Sequence, residues 1–491
     1  MFLITATFVM ILLLIPACDL IDASKVENPQ ITDENLRANA TGGATPLVTG
    51  LRRQFAIVTG IQSLIGDLVA DNLDNRTSFY ENALDLPRTI TPISFTYGAA
   101  YEGMLYMNAL ANFGLSVIIP NDKSATNDQI AEVRFYKGMA LLWLAENYTM
   151  FPIVEKGPVV TATVALNAAV TEFNTALPLI GAASPATQQM RGNCYLGLAR
   201  AYRMLGDKTN ATNAANSAVA VVANGTYAGG TTHLLGATFE TASIQSTLRA
   251  ALVTRASNDI QPLPRLDFLD PKLIAVTNPG PVLKAEEAYL ILAEVELSNG
   301  NLANARTQMT SAVTRALARG RTNFTDPDTR STRPNVDTLT CRSDATYAPV
   351  AGLIRRRSAS VVPVPTISWT SQTAATITAL GALPAGTNQG QQNFEHFRTL
   401  YLLRQEIFFG EGRRMSDLGI RLPVTQRQID GNPNVAGTAG ISVVIPAWIP
   451  PTDEMKLYTG PTAGVVTMTW DMNKQLALNR ASGASPFGVF P

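Results

Sequence analysis

Two stretches of the chain repeat the same pattern of glycine and alanine. They are LARAYRMLGDKTNATNAANSAVA (198–220) and LAEVELSNGNLANARTQMTSAVT (292–314). In each copy a glycine, Gly206 or Gly300, stands eight residues after the first leucine, and two alanines follow at equal offsets. Glycine ends a helix readily because it adopts the left-handed conformation without steric cost. The pattern therefore predicts two equivalent helix–turn–helix hairpins whose small alanines allow close packing.

Such hairpins are typical of tetratricopeptide-like repeats. The two copies start 94 residues apart, so a non-helical insertion at about 221–280 is expected between them, and a regular tandem array is not. Apolar residues at helical spacing predict further helices over 51–70, 98–113 and 129–148. The intervening stretch 71–97, rich in Asn, Asp and Pro, is expected to be a long ordered loop.

The first 17 residues, MFLITATFVMILLLIPA, carry no charge and end directly before Cys18. This run is slightly short for a spanning helix, which needs about 20 apolar residues. An apolar run that ends in a small residue before a cysteine predicts a bacterial lipoprotein signal, with Cys18 as the lipidated residue. The positive charge that usually precedes such a run is missing, which leaves an uncleaved anchor or a buried first helix as the alternative.

Composition then divides the chain into consecutive parts. We expect a lipoprotein signal peptide at 1–17, an N-terminal tether and extended segment at 18–47, a helical tetratricopeptide-like part at 48–320, a loop-rich ligand-side insertion with short strands at 321–393, and a C-terminal helix and loop-rich tail, packing on the helical part, at 394–491. The predicted fold class is thus mostly α.

Charge and metal-ligand content exclude several function classes. Thirty-eight Lys and Arg balance 38 Asp and Glu, which disfavours nucleic-acid binding because phosphate recognition needs clustered positive charge. The two histidines, His233 and His396, are far apart, and the cysteines beyond Cys18 are Cys194 and Cys341 alone. No metal site or cofactor is predicted from so few ligands. Whether Cys194 and Cys341 pair remains open.

Clustered carboxylates suggest a glycosidase only if two of them face each other about 5–10 Å apart across a cleft. Four glutamates lie on one predicted helix, Glu286, Glu287, Glu294 and Glu296, and we expect them on its solvated surface. A second set, Glu411, Arg414 and Asp417, is spaced along one predicted helical ridge (394–418). We expect this set to be a structural ion network that reaches the hairpin helices through Glu294. No nucleophile, zinc or phosphate-loop motif accompanies them, so no enzyme is predicted.

Five features, in order, resemble the SusD/RagB family of nutrient-uptake lipoproteins. They are the cysteine after the signal, AEVRFYKGMALLWLAENYTMFPIV (131–154), LKAEEAYLILAEVELSNGNLANA (283–305), LRQEIFFGEGRRMSDLGIR (403–421) and IPAWIPPTDEMKL (445–457). The second departs from the family pattern, since Thr149, Met150 and Phe151 replace a Gly-Asp pair. The resemblance implies a SusD-like fold with tetratricopeptide-like hairpins on one side and a ligand surface of loops on the other.

The resemblance also implies a function. Such proteins sit on the outer membrane, anchored by lipid and facing the exterior, and pass glycans or other small nutrients to a SusC-like, TonB-dependent transporter. A tetratricopeptide-type scaffold that binds a protein or peptide is the alternative. That scaffold predicts a long groove on the helical face, whereas a nutrient binder predicts an aromatic cluster on the insertion face.

Glycan binding needs flat aromatic faces beside planar polar groups. Trp369, in the Thr- and Ser-rich insertion, is the best platform, whereas Trp143 in a helix is expected in the core. The long loop supplies a second cluster. The predicted ligand residues are Trp369, Tyr80, Phe79, Asn72, Asn75 and Arg76. Ordinary packing is the alternative role for each aromatic residue.

Overall fold

The protein is described here from a computed structural model. The described residues are 41–75, 84–223, 235–237, 260–262, 279–317, 322–325, 361–364, 377–382, 387–449, 455–456, 458–462, 465–468 and 470–481. Helices dominate this part of the chain. They are α1 (Ala44–Leu68), α2 (Phe95–Phe113), α3 (Asn127–Asn147), α4 (Ala162–Ala176), α5 (Pro185–Leu205), α6 (Lys208–Ala223), α7 (Ala285–Ser298), α8 (Leu302–Leu317), α9 (Gln389–Ile407), α10 (Arg414–Leu418), α11 (Gln426–Gly431) and α12 (Met472–Ala481).

The strands are short. They are β1 (Leu73–Asn75), β2 (Met150–Pro152), β3 (Val159–Thr161), β4 (Leu235–Ala237), β5 (Ile260–Pro262), β6 (Gly280–Leu283), β7 (Thr322–Thr325), β8 (Val361–Val364), β9 (Tyr458–Thr462) and β10 (Val465–Met468). Within the described ranges they form antiparallel pairs, β1 with β5, β2 with β3, β4 with β6, β7 with β8 and β9 with β10. The β7–β8 pair lies in the region where short strands were expected.

The helices stack as successive pairs. α3 packs on α4, α5 on α6, α7 on α8, and α9 on α12. Neighbouring pairs then contact each other, through α4 and α5, through α6 and α7, and through α8 and α9, while α1 and α2 pack beside α3. The two repeat copies are therefore adjacent in space although the insertion separates them in sequence. A long insertion between hairpins does not prevent them from stacking.

Local signals in the sequence fix the helix ends. Thr126 caps α3 in a reciprocal capping box with Gln129, and Ser184 begins α5 in the same way. Gly206 and Gly300 have φ of 74° and 76° and end the first helix of each repeat hairpin. The predicted glycine turns are confirmed. The repeat alanines, which were expected at the interfaces, are fully buried: Ala211, Ala218, Ala305 and Ala312.

The prediction of one helix over 394–418 is wrong. α9 ends at Ile407, a turn follows, and α10 begins at Arg414. Gly412 in this turn has φ of 67°, and a Cβ added there would lie 2.5 Å from the carbonyl oxygen of Gln62 on α1. The turn is therefore pressed against α1, in a conformation that only glycine adopts without strain. Glu411 is not on the ridge with Arg414 and Asp417.

Among the described residues, one helical segment, Tyr97–Asn121, is long and apolar enough to cross a membrane by length and composition. It comprises most of α2, a π-helical turn (Gly114–Ile118) and a last turn (Ile119–Asn121). Its inner face packs on α1 and α3 through fully buried side chains such as Tyr101 and Met104.

Gly300→Ala should lower the free energy of unfolding by about 1 kcal/mol, because a Cβ is strained at positive φ. The space around Gly300 is open, so no steric clash adds to this cost. Gly431→Ala is the control, since that site is equally open and has no positive φ. Urea unfolding measures both variants. Equal stability of the two would contradict the turn assignment.

Candidate functional site

The side chains of the 403–421 signature form a buried ion network. Arg404 donates two hydrogen bonds to Asp417, at 2.9 and 2.7 Å. Arg203 of α5 lies 3.7 Å from the same carboxylate and 2.5 Å from Glu294 of α7. All four side chains are almost fully enclosed. The prediction of a structural network that reaches the hairpins through Glu294 is confirmed.

A second part of the network joins the same helices. Arg200 donates to both oxygens of Glu287, at 2.9 and 2.6 Å, and Arg413 donates to Glu287 at 2.7 Å. Glu146 of α3 lies 3.8 Å from Arg200 and 3.6 Å from Arg413 without a close contact to either. Burial raises the pKa of Glu146, and the positive charges of Arg200, Arg421 and Arg203 offset only part of that effect. Lys284 pairs with Glu411 at 2.6 Å.

The predicted solvent exposure of the α7 glutamates is therefore wrong. Glu286, Glu287 and Glu294 are 0%, 2% and 0% exposed, and only Glu296 is partly accessible. Burial alone raises the pKa of Glu294, but Arg203 and Arg480 outweigh it, so the net pKa is lowered. Asp417 behaves in the same way with Arg404 and Arg203. Glu287, Glu294 and Asp417 are thus ion-pair partners inside the core.

The predicted ligand residues divide into two groups. Cys18, Phe79, Tyr80, Arg76 and Trp369 lie outside the described residues, as does Cys341. Asn75 lies on β1, where it pairs with Ile260. Asn72 is 1% exposed; its amide donates to Asp67 at 3.1 Å, and its oxygen accepts from Gln405 at 3.1 Å.

Asn72 was expected on an open loop and is instead part of the core, because β1 follows α1 directly into the protein. Trp143 is buried and stacks on Phe55 at 5.0 Å, which confirms its predicted core position. Cys194 is a buried free thiol on α5, and burial raises its pKa to about 12.

An open cleft of about 590 Å³ lies between α1, α3, α5 and β4. This volume is within the range of about 300–1,000 Å³ found for small-molecule sites. Most of its wall is apolar. The apolar lining residues are Phe55, Ala56, Ile57, Ile180, Ala186, Met190, Leu235 and Ala237. We refer to this space as the α1–α5 cleft.

The floor of the cleft is made rigid by aromatic packing. Phe55 lies between Trp143 and Tyr136, with ring centroids 5.0 and 5.2 Å away. Phe135 contacts Tyr136 at 5.4 Å on the far side. Burial raises the pKa of the Tyr136 hydroxyl, and the negative Glu132 raises it further, so this group stays protonated at neutral pH. It is not poised to act as a base.

Polar groups occupy a few defined points of the cleft. Arg52 donates to both oxygens of Glu132, at 2.6 and 2.8 Å, and its side chain is 61% exposed at the rim. Asp128 accepts from the backbone N–H of Gly181 at 2.7 Å. Asn193 lies in the α5 wall. Both carboxylates are thus held by donors, which suits positioning of a ligand better than proton transfer.

No metal-binding group of three or more His, Cys, Asp and Glu exists in the part of the chain that the structure describes. The cleft was not predicted from the sequence because its polar pair is 80 residues apart along the chain. One sequence signal could have helped to find it. Arg52 and Glu132 each lie on an otherwise apolar helix face, and this position suggests a partly buried ion pair.

No protein-family model and no curated protein matches the chain. Solved structures do match. A candidate sugar binding protein from Bacteroides vulgatus aligns with a TM-score of 0.51 and 14% identity, over 82% of this chain and 98% of its own. A SusD superfamily protein from the same species gives 0.51 and 13%, over 81% and 98%. The chain therefore has the mostly helical SusD-like fold that the sequence motifs predicted.

Asp417→Asn should destabilise the protein by roughly 3–5 kcal/mol at pH 7, because it leaves buried arginines without their carboxylate. The pKa of Asp417 is lower in the folded protein than in the unfolded chain, where it is about 4. The ionised carboxylate therefore stabilises the fold fully above the unfolded pKa, and this stabilisation disappears as the pH falls through the lower folded pKa. The stability difference between wild type and variant should therefore begin to shrink as the pH falls below about 5, and it should shrink further at lower pH.

Urea unfolding at a series of pH values measures this difference. Asp430→Asn, at an exposed carboxylate of α11, is the control and should change stability by less than about 0.5 kcal/mol. A pH-independent difference for Asp417→Asn would contradict the ion-pair account.

Proposed function

We propose that the protein is a non-enzymatic, lipid-anchored binding protein of the outer membrane. It captures an oligosaccharide or another small nutrient at the cell exterior and delivers it to a SusC-like, TonB-dependent transporter. The SusD-like fold supports this proposal, since one solved structure of that fold is described as a candidate sugar binding protein. Fold alone does not establish function, so the site must carry the argument.

The observation that carries the proposal is the α1–α5 cleft. It is open, of ligand size, and combines an apolar wall with a few fixed polar groups, as small-molecule sites do. A sugar presents apolar C–H faces and hydroxyl groups, and both find partners in such a lining. The charged groups in it are already engaged, which favours binding over catalysis.

The loop residues Trp369, Phe79 and Tyr80 remain the predicted aromatic platform of the ligand surface. Their segments interrupt the helical pattern and combine aromatic with short polar side chains. Loops on a rigid frame are where binding residues collect. We therefore propose these three aromatic residues as stacking surfaces for an oligosaccharide.

A scaffold for a protein partner is supported by one weaker observation. A hollow of about 760 Å³ lies over α7 and α8, lined by Arg306, Thr307 and Ser311 among others. The hydroxyls of Thr307 and Ser311 donate to carbonyl oxygens of their own helix, and Arg306 contacts His396. Three polar side chains of this hollow are thus already engaged, and its lining is less apolar than that of the α1–α5 cleft, so the nutrient-binding function is preferred.

Cys18→Ala should release the protein from the membrane fraction when the full precursor is expressed in a Gram-negative host. A lipid chain contributes about 0.8 kcal/mol for each buried CH₂ group, and the variant cannot receive it. Fractionation after a high-salt wash measures the distribution, with the wild type as reference. Retention of the variant in the washed membranes would contradict lipid anchoring through Cys18.

Trp369→Ala should weaken glycan binding at least several-fold and leave the melting temperature nearly unchanged. An exposed indole stacked on a sugar ring contributes on the order of 1–3 kcal/mol. Trp143→Phe is the contrasting variant, because Trp143 is a core residue and should affect stability first. A large loss of stability with unchanged binding would show that Trp369 is a packing residue.

A further inference from the structure

Asn193 is the one group of the cleft lining, within the described residues, whose buried polar atom has no partner. It is 2% exposed, and its Oδ1 makes no hydrogen bond. Buried polar atoms are nearly always paired, because an unpaired one forfeits its hydrogen bond to water. Asn193 lines the open cleft, so a ligand there can supply the missing donor once the amide turns its enclosed Oδ1 toward the cleft.

The charges in the lining balance. Its ionic side chains are Arg52 and Arg53, which are positive, and Asp128 and Glu132, which are negative. Arg52 is already neutralised by Glu132 at 2.6 Å. The described part of the lining therefore has no net charge, which favours a neutral ligand over a charged one.

The neighbours of Asn193 define the shape of that ligand. Phe55, Ile57 and Met190 supply apolar surface in the same cleft. The last side-chain torsion of asparagine, χ2, has a broad range of favourable angles. Oδ1 can therefore turn toward the cleft while the side chain stays in a favourable rotamer. A ligand that places an apolar face on this surface and a hydroxyl toward α5 meets both requirements.

We propose that the α1–α5 cleft binds a neutral, hydroxyl-bearing ligand of the oligosaccharide class, and that Asn193 determines its specificity by accepting a hydrogen bond from one ligand hydroxyl. The inference rests on the proposed function and adds the class of ligand and the residue that recognises it. It places a binding site among the helices.

The test is calorimetric titration of the full mature chain with maltotriose, cellotriose and xylotriose, and with trigalacturonate as a charged probe. The wild type should bind at least one neutral trisaccharide and bind trigalacturonate far more weakly. Asn193→Leu keeps the branched shape but removes the acceptor. It should weaken binding by about tenfold or more, as expected when a ligand hydroxyl loses its buried partner.

The melting temperature separates a ligand role from a structural one. Removing an unpaired buried acceptor costs the free protein nothing, so Asn193→Leu should melt at the wild-type temperature or above it. A marked fall in its melting temperature would show that the amide supports the fold and would overturn the assignment.

A second variant tests the location independently of Asn193. Ala186 is exposed at the mouth of the cleft, so Ala186→Trp should fill the entrance and abolish binding without disturbing the core. Ala109→Trp, at an exposed position of α2 outside the cleft, is the matched control and should bind normally.

The outcomes distinguish the two proposals. If the wild type binds no neutral trisaccharide, the oligosaccharide-binding form of the proposed function fails, and this inference fails with it. If it binds one and both Asn193→Leu and Ala186→Trp bind equally well, the cleft assignment is wrong while the function stands. Preferential binding of trigalacturonate would overturn the argument for a neutral ligand.

Discussion

A buried layer of arginine–carboxylate pairs determines how the helices of this protein stack. The interfaces between the repeat helices are rich in alanine, and such smooth surfaces alone would fit in several registers. The bidentate pair of Arg404 with Asp417, and that of Arg200 with Glu287, form in one register only. The free energy needed to remove these charges from water cancels much of the free energy gained from their attraction. Their main effect is therefore to select one arrangement of the helices.

The α1–α5 cleft depends on that arrangement. α1 is tied to the ion layer because Arg414 donates to Asp71 just beyond its end, and because the Gly412 turn rests on it. On its other side α1 is joined to α3 by Arg52 and Glu132 at the rim of the cleft. The walls are thus held by elements distant in sequence, and a preorganised cleft loses little entropy when a ligand enters.

Local features of the fold were predictable and long-range ones were not. Gly206, Gly300 and the apolar periodicity act within one or two helical turns, so hairpins and helix ends follow from the sequence. The burial of Glu287 depends on arginines 87 and 126 residues away, and nothing near it in the chain signals this. For the same reason the sequence did not predict the cleft or the role of Asn193. The prediction for Asn72 was wrong for another reason, because it depended only on the polar composition of the segment, which indicated a loop.

The central claim is that the ion layer joins the hairpins into one rigid frame that carries the cleft. Native-state hydrogen exchange of the full mature chain tests it most directly, since amides that open together share one opening free energy. The account predicts that α5, α7 and α9 exchange only through a common opening close to global unfolding. Exchange of any one of these helices through a separate, lower-energy opening would contradict it.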